Sequence, residues 1–175
     1  MNTWIISDTH WKHAKIIEYE HRPSNYNELL IKNWNTLVAW DDLVIHCGDL
    51  VFGNHPEVLA QLNGNIVLVR GNHDRQSMSW YLSNNIKFVC DSFSLKAYGK
   101  LIIFTHAPMV TIPVEYDMNI HGHLHRFTHR SLEDYADYLT DERYSLVSME
   151  LENYSPVLLE EFVNRKQRRL PDDKE

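Results

Sequence analysis

Five short apolar runs constrain this 175-residue chain most, because each of them leads into a residue that can bind a transition metal. The runs cover residues 3–6, 43–47, 66–69, 101–104 and 118–120. Runs of this length, bounded by glycine and polar residues, are typical of buried strands. Polar residues at the carboxyl ends of several strands of one sheet converge on a single crevice. The pattern therefore predicts a metal site at that crevice.

The candidate ligands after these runs offer only oxygen and imidazole nitrogen. Such donors suit first-row divalent ions, and the imidazoles argue against a pure Mg²⁺ or Ca²⁺ site. A structural zinc site would normally be closed by four ligands that include cysteine. The set is too large for one tetrahedral ion and suits two ions, ~3.5–4 Å apart, that share a bridging carboxylate. The candidates are Asp8, His10, Asp49, Asn72, His106, His123 and His125.

The spacing of these residues is consistent with shared sites. Asp8 and His10 lie two residues apart, so in extended backbone their side chains leave the chain on the same side. His123 and His125 repeat this spacing, and Gly122 before them allows the backbone to turn close to the site.

His73 stands between Asn72 and Asp74 and cannot easily bind the same ion as its neighbour Asn72. We predict that His73 faces the substrate as a proton donor and that Asp74 holds its imidazole. Taken singly, an Asp or Asn after a strand is more often a turn former, and a lone His is more often a loop or core residue. Only their joint occurrence at five strand ends favours the metal site.

The order of these motifs resembles that of the calcineurin-like metallophosphoesterases. The five motifs are Asp8-x-His10, Gly48-Asp49, Gly71-Asn72-His73-Asp74, His106 and Gly122-His123-x-His125. The match spans residues 8–125, and the short chain is similar to the small single-domain bacterial, archaeal and phage members. The resemblance implies an α+β fold: a four-layer α/β/β/α sandwich of two mainly mixed sheets, with the metal site at the carboxyl ends of the strands.

The resemblance also implies roles for individual residues. Two divalent ions would be bound, with Mn²⁺ favoured and Fe, Ni, Co or Zn as alternatives. A bridging hydroxide would attack phosphorus in line, and His73 would protonate the departing oxygen. The first ion would be held by Asp8, His10 and His125, the second by Asn72, His106 and His123, and Asp49 would bridge them.

Three further regions have two interpretations each. His13 could line the substrate pocket, or it could be an ordinary residue at a helix start. The Arg22 guanidinium could grip phosphate, or it could be solvated in a loop. Residues 126–143 could form an active-site flap whose aromatic side chains contact a base or sugar. The alternative for that segment is a surface helix and loop.

Composition restricts the substrate and the location. A chain with a formal net charge of −7 lacks the basic field expected of a protein that grips long nucleic acid. We therefore favour hydrolysis of phosphodiester bonds in small nucleotide-type diesters over a nuclease that acts on DNA or RNA ends. A non-catalytic metal-binding scaffold is a further alternative, which the His73-Asp74 pair argues against. We expect one domain over residues 1–165 and a polar tail over 166–175. The two cysteines, the direct start into a strand and the short apolar runs favour a cytoplasmic protein without a membrane partner.

The remaining pattern predicts helices alternating with strands. Helices are expected from Ser24 or Asn25 to about Asp41, from Pro56 to before Gly64, and over 79–84. Strands at 87–90, 93–97 and 100–105 resemble a meander. A late strand is expected over 144–151, followed by a helix that Ser155 and Pro156 begin.

Overall fold

The computed structural model describes residues 1–126, 138 and 140–165, and its elements alternate along most of the chain. In order, they are β1 (Thr3–Ile6), α1 (Ile16–Tyr19), α2 (Tyr26–Leu37), β2 (Leu43–His46), α3 (Pro56–Leu59), β3 (Asn65–Val69), α4 (Met78–Ser83), β4 (Ile86–Cys90), β5 (Phe93–Ala97), β6 (Lys100–Thr105), β7 (Met118–His121), β8 (Tyr144–Leu146), β9 (Val157–Leu158) and α5 (Leu159–Asn164).

The strands form two mixed sheets, so the predicted α+β class and the two-sheet arrangement are confirmed. The first sheet has the order β4-β3-β2-β1-β9, in which β1 to β4 are parallel and β9 runs antiparallel to β1. The second has the order β5-β6-β7-β8, with β5 antiparallel and the other three strands parallel.

Alternation along the strands divides the interior into two cores. In β1, Trp4 and Ile6 pack on the helix side, while Ile5 packs between the sheets. Helix α2 places Leu30 and Trp34 in the helix-side core, and both are fully buried. A buried side chain of this size contributes about 1.5–3 kcal/mol, so the helices stabilise the sheet by covering one of its faces.

Among the described residues, the helices are distributed unevenly over the two sheets. Helices α1 to α4 pack on the outer face of the first sheet, and α5 adds Leu159, Phe162 and Val163 to the core between the sheets. Within the described residues, no helix covers the outer face of the second sheet. On that face, Met109 from the segment between β6 and β7 forms two hydrogen bonds. Its N–H donates to Asn119 Oδ1, and its carbonyl oxygen accepts from the Tyr144 hydroxyl. The predicted surface helix within 126–143 and the tail at 166–175 fall largely on residues outside the described ones.

Three element predictions are wrong in detail. Strand β4 pairs with β3 in the first sheet, so only β5 and β6 form a hairpin and there is no meander. Strand β8 ends at Leu146, because the chain turns after it. Val157 and Leu158 form a strand beside β1, and helix α5 therefore begins two residues later than expected. Among the described residues, no helix is long and apolar enough to cross a membrane.

Candidate metal centre

The carboxyl ends of five strands meet at one place, but these strands belong to both sheets. Asp8, Asp49 and Asn72 follow β1, β2 and β3 in the first sheet. His106 and His123 follow β6 and β7 in the second. The predicted convergence at the carboxyl ends of strands from two sheets is what the structure has.

One group of candidate ligands consists of Asp8, His10 and His125. All three residues are buried, and each offers a ligand atom within 4.8 Å of those of the other two. Nε2 of His125 lies 3.6 Å from Oδ1 of Asp8. The rings of His10 and His125 are stacked with their centroids 5.4 Å apart.

The second group consists of Asp49, His106 and His123, with Asn72 at its edge. Nε2 of His106 lies 3.0 Å from Nδ1 of His123 and 3.0 Å from Oδ1 of Asn72. Asp49 connects the two groups, because its Oδ2 is 3.3 Å from Nε2 of His106 and 3.4 Å from Nε2 of His10.

The donor atoms fit a cation. Among the described residues, Asp8 Oδ1, His10 Nε2 and Asp49 Oδ2 are buried and have no hydrogen-bond partner. The Nδ1 of His106 donates to the carbonyl oxygen of Cys47 at 2.9 Å, so its Nε2 faces Asp49 and is the ring nitrogen that can bind a metal ion once its proton is lost. Buried lone pairs that face one another are costly unless a proton or a metal ion lies between them.

The pKa values show how strongly these groups interact. Burial raises the pKa of Asp8. Burial opposes ionisation of Asp49 too, but His106 and His10 hold its pKa below the usual value. For His106, burial is outweighed by Asp49 and Asp8, which raise its pKa to about 9. Protons are thus held among these side chains, and binding a metal there would release them.

The backbone at these residues is held in a sparsely populated conformation. The φ angles of Asp8, His10, Asp49, His123 and His125 are 57°, 46°, 56°, 69° and 48°. For residues with a Cβ, the left-handed region costs roughly 1–2 kcal/mol each. Two backbone hydrogen bonds hold the segment after β1 against the segment after β2. They run from Asp8 N to Gly48 O at 3.0 Å and from His10 N to Asp49 O at 2.9 Å. Such strain clusters at functional sites.

A family model described as the calcineurin-like phosphoesterase superfamily domain matches residues 1–139 of this chain. The chain belongs to the calcineurin-like phosphoesterase superfamily. It is therefore a hydrolase that acts on phosphoester bonds, in a family that depends on metal ions.

Individual relatives and solved structures are similar to this chain over most of its length. An uncharacterized protein of Methanocaldococcus jannaschii is 37% identical over 169 residues, which cover 90% of this chain and 86% of that protein. A protein of unknown function from Aquifex aeolicus has a similar structure, with a TM-score of 0.72 and 23% identity over 91% of this chain and 96% of that one. A structure described as a novel archaeal phosphodiesterase has a TM-score of 0.52 and 23% identity, covering 85% of this chain and 82% of that one. At this identity the two structures show the shared fold.

Close backbone approach explains one glycine of this phosphoesterase. A Cβ on Gly122 would lie 1.9 Å from Ser7 Oγ and 2.3 Å from Asp8 Oδ2. The same Asp8 oxygen accepts a hydrogen bond from the His123 N–H at 2.9 Å. Only glycine lets the chain after β7 come this close to the chain after β1.

His73 lies beside the candidate ligands, but Asp74 does not hold its ring. The His73 N–H donates to Asp49 Oδ1 at 2.8 Å, and its ring centroid is 5.4 Å from that of His10. Among the described residues, Nδ1 of His73 has no hydrogen-bond partner. The Asp74 carboxylate instead accepts from the backbone N–H groups of Asp49, Leu50 and Gly71, at 2.8, 2.9 and 2.8 Å. The predicted orienting role of Asp74 is therefore wrong. By accepting these three amides, its carboxylate connects the loop after β2 with the loop after β3.

The two candidate substrate contacts have different outcomes. His13 is partly buried, and its ring centroid lies 5.5 Å from that of His10 and 6.3 Å from that of His73. Its contact with substrate stays a prediction. Arg22 has a fully buried side chain whose guanidinium donates to the carbonyls of Asp8 and Thr9 at 2.7 and 2.9 Å. It is neither a phosphate contact nor a solvated loop residue, because it folds beneath the chain that follows β1.

Sequence reasoning missed Glu150, which supports the first group from behind. Its Oε1 lies 3.2 Å from Nδ1 of His125 and 2.5 Å from Nη2 of Arg22, and its Oε2 accepts from Ser148. Burial opposes the charge of Glu150, but His125 and Arg22 hold its pKa below the usual value. A carboxylate on Nδ1 of a histidine leaves Nε2 with a lone pair for a metal. The available signal is an acidic residue inside the apolar stretch 146–151, which the sequence pattern predicts as a strand.

A buried histidine and the predicted flap lie outside the two groups of candidate ligands. His46 is fully buried: its Nδ1 accepts from the Gly48 N–H at 3.1 Å, and burial lowers its pKa to about 3. It is a core residue. Of the predicted flap, 127–137 and 139 lie outside the described residues. Tyr138 is described, and its ring packs 5.2 Å from those of His121 and Tyr144.

Proposed function

We propose that this phosphoesterase is a dinuclear metal-dependent phosphodiesterase that acts on small nucleotide-type diesters. The observation that carries the proposal is the position of Asp49. One of its carboxylate oxygens lies within 3.4 Å of an imidazole nitrogen from each of the two groups of candidate ligands. A shared carboxylate between two sets of donors is the arrangement that a two-metal hydrolytic site requires.

The proposed ligand sets follow the two groups. Asp8, His10 and His125 would hold one ion, and Asn72, His106 and His123 would hold the other. Mn²⁺ is the favoured ion, with Fe, Ni, Co or Zn as alternatives, since the donors are carboxylate, amide and imidazole. Two such ions, when bound, supply an activated water and the positive charge that neutralises phosphate oxygens.

The residues of the chain itself would do the remaining chemistry. His73 is fixed to Asp49 through its backbone N–H, and its ring lies next to that of His10. It would therefore stand beside a phosphate held by the candidate ligands and could give its proton to the departing oxygen. Alkoxide leaving groups need such a proton, which favours diesters of ribose or alkyl alcohols as substrates.

The acidic surface supports a small substrate. With a formal net charge of −7, the chain offers little attraction to the many phosphates of a polynucleotide. A diester with one phosphate would be attracted locally by the bound ions and needs no basic groove.

Metal removal and replacement of Asp49 test the proposal. Chelation should abolish hydrolysis of a panel of nucleotide diesters, and added Mn²⁺ should restore it. Asp49→Ala should lower metal occupancy at both positions, because it removes the one shared ligand. Asp91→Ala is the matched control, since the Asp91 side chain is 86% exposed and pairs only with Arg70 among the described residues. Two full metal equivalents in Asp49→Ala protein, or no hydrolysis of any diester by wild type, would contradict the proposal.

A further inference from the structure

An exposed aromatic group lies beside His73 and has no part in the chemistry above. Phe52 is 42% exposed, although Val51 before it is only 3% exposed. The Phe52 ring centroid lies 4.2 Å from that of His13 and 6.2 Å from that of His73. His13 also packs against Tyr19, which is 48% exposed, with the ring centroids 6.4 Å apart. Phe52, His13 and Tyr19 form a contiguous surface, which we call the aromatic ledge.

The backbone beneath the aromatic ledge is anchored in the core. The Phe52 N–H donates to the carbonyl oxygen of Trp11 at 2.9 Å, and Val51 pairs with Trp11 as an isolated bridge. Trp11 itself is fully buried against Trp34. The exposed ring therefore projects from a fixed stretch of chain. Exposed apolar side chains that adjoin one another on a fixed surface mark binding sites more often than scattered ones do.

The aromatic ledge adjoins the candidate metal centre on the side of the proposed proton donor. The ring centroid of His13 lies 5.5 Å from that of His10. The ring centroid of His73 lies 5.4 Å from that of His10 and 6.2 Å from that of Phe52. A phosphate held by the candidate ligands would place its leaving oxygen next to His73. The organic group attached to that oxygen would then extend over Phe52.

The shape and chemistry of the aromatic ledge select a flat aromatic ligand. The Phe52 and His13 rings meet with 52° between their planes, and Phe52 is 42% exposed, so it offers an aromatic surface against which a planar ring can pack in an offset or edge arrangement. Nucleobases stack on aromatic side chains whatever their identity, because every base has a π-face. A single base also needs no basic surface, in agreement with the net charge of −7.

We propose that the aromatic ledge binds the nucleobase of the leaving nucleoside of a small phosphodiester. The proposal rests on the phosphodiesterase activity proposed above and names the substrate class and its orientation. In the reaction, the oxygen of water bonds to phosphorus as the bond from phosphorus to the nucleoside O5′ breaks. One proton of water passes to the solvent, from which His73 later regains its proton, and the other stays with the phosphate monoester product. The proton of His73 passes to O5′, and the nucleoside leaves as an alcohol.

A matched pair of diesters tests the inference. Adenosine 5′-methylphosphate carries the base, and its abasic counterpart has hydrogen in place of the base. Wild-type protein with Mn²⁺ should prefer the adenosine diester by ~10-fold in kcat/KM and should release adenosine and methyl phosphate. Phe52→Leu, which keeps the apolar bulk, should bring the preference down to ~2-fold, while Phe52→Trp should keep it. Phe88→Leu, at a ring 51% exposed on β4, is the control and should keep the wild-type preference.

The outcomes separate this inference from the function on which it rests. A preference for the adenosine diester that survives Phe52→Leu, or release of AMP and methanol, overturns the inference while the phosphodiesterase activity stands. If wild type hydrolyses neither of these two diesters nor any other nucleotide diester of the panel, the proposed function fails. The aromatic ledge is then judged by calorimetric titration of the adenosine diester. Weaker binding to Phe52→Leu than to wild type would support it, and equal affinity would overturn it.

Discussion

Asp49 contacts both groups of candidate ligands, the backbone of His73 and the carboxylate of Asp74. Its Oδ1 accepts the His73 N–H at 2.8 Å, and its own N–H donates to Asp74 at 2.8 Å. Its Oδ2 faces His10 and His106. The residue that would be shared by two metal ions therefore also positions the proposed proton donor. A change at Asp49 should disturb both functions, so the role of His73 has to be tested at His73 itself.

The importance of His73 should grow with the basicity of the leaving oxygen. A nitrophenolate leaves readily without a proton, whereas a ribose or alkyl alkoxide does not. His73→Ala should keep its metals and part of its activity on nitrophenyl esters, and it should lose ~10²–10⁴-fold on alkyl or nucleoside diesters. Steady-state kinetics on both substrate types and metal analysis of the purified variant measure this.

The comparison has two informative failures. Equal losses on both substrate types, with metal content unchanged, would mean that His73 mainly binds phosphate. Loss of bound metal would make it a ligand. His55→Ala is a suitable control, because the His55 side chain is 39% exposed and pairs with Glu57 at the surface.

Glu150 should act on metal binding through His125. Glu150→Gln keeps an oxygen for Arg22 but removes the negative charge that holds the Nδ1 proton of His125. We expect ~10–100-fold weaker binding of Mn²⁺ at the first group, the usual effect of losing such a partner. Calorimetric titration with Mn²⁺ measures the affinity, and circular dichroism establishes that the variant is folded. Glu57→Gln is the control at a surface glutamate. Unchanged Mn²⁺ affinity in folded Glu150→Gln would show that Glu150 serves only to bury Arg22.

At the scale of elements, apolar periodicity predicted the strands that carry the centre and the helix α2. It could not predict how these strands are shared between two sheets, because a buried strand has the same pattern in either sheet. For the same reason the strands at 87–90 and 93–97 look like neighbours, although β4 pairs with β3 and β5 with β6. Motif order predicted most of the residues that converge. Motif order predicted neither the position of Glu150 nor the burial of Arg22, because these two residues contact each other although they lie 128 positions apart in the sequence.

Gly122 tests whether the approach of the two loops after β1 and β7 matters for the metal centre. Gly122→Ala would force Ser7 Oγ or Asp8 Oδ2 to move, although Ser7 donates to Cys47 O at 2.8 Å. Overpacking of this kind costs about 1–3 kcal/mol of unfolding free energy. The variant should be less stable by that amount in urea unfolding, and it should bind Mn²⁺ more weakly.

Gly99→Ala provides the contrast. Gly99 has a φ of 76°, but no atom lies within 4 Å of the added Cβ. That variant should lose about 1–2 kcal/mol through backbone strain and keep its Mn²⁺ affinity. If Gly122→Ala binds Mn²⁺ as tightly as Gly99→Ala does, the close approach at Gly122 is required for folding and not for Mn²⁺ binding.

At the scale of the whole molecule, an acidic chain folds so that its candidate metal ligands lie in one cluster. The net charge of −7 repels polyanions at long range. Metal ions bound at the two groups of candidate ligands would supply positive charge locally. This contrast separates the proposed small-molecule phosphodiesterase from the alternative, a nuclease that acts on DNA or RNA ends.

Salt dependence measures that difference directly. A protein that neutralises several phosphates of a nucleic acid loses affinity with a log–log slope of roughly −0.7 to −0.9 for each phosphate. A diester with one phosphate should therefore give a slope no steeper than about −1 for substrate affinity against salt. The measurement compares KM for a mononucleotide diester and for a short oligonucleotide between low and high salt, at fixed Mn²⁺. We expect a shallow slope and faster turnover with the mononucleotide diester. A slope of several units with the oligonucleotide, together with faster cleavage of it than of any mononucleotide diester, would establish the nuclease instead.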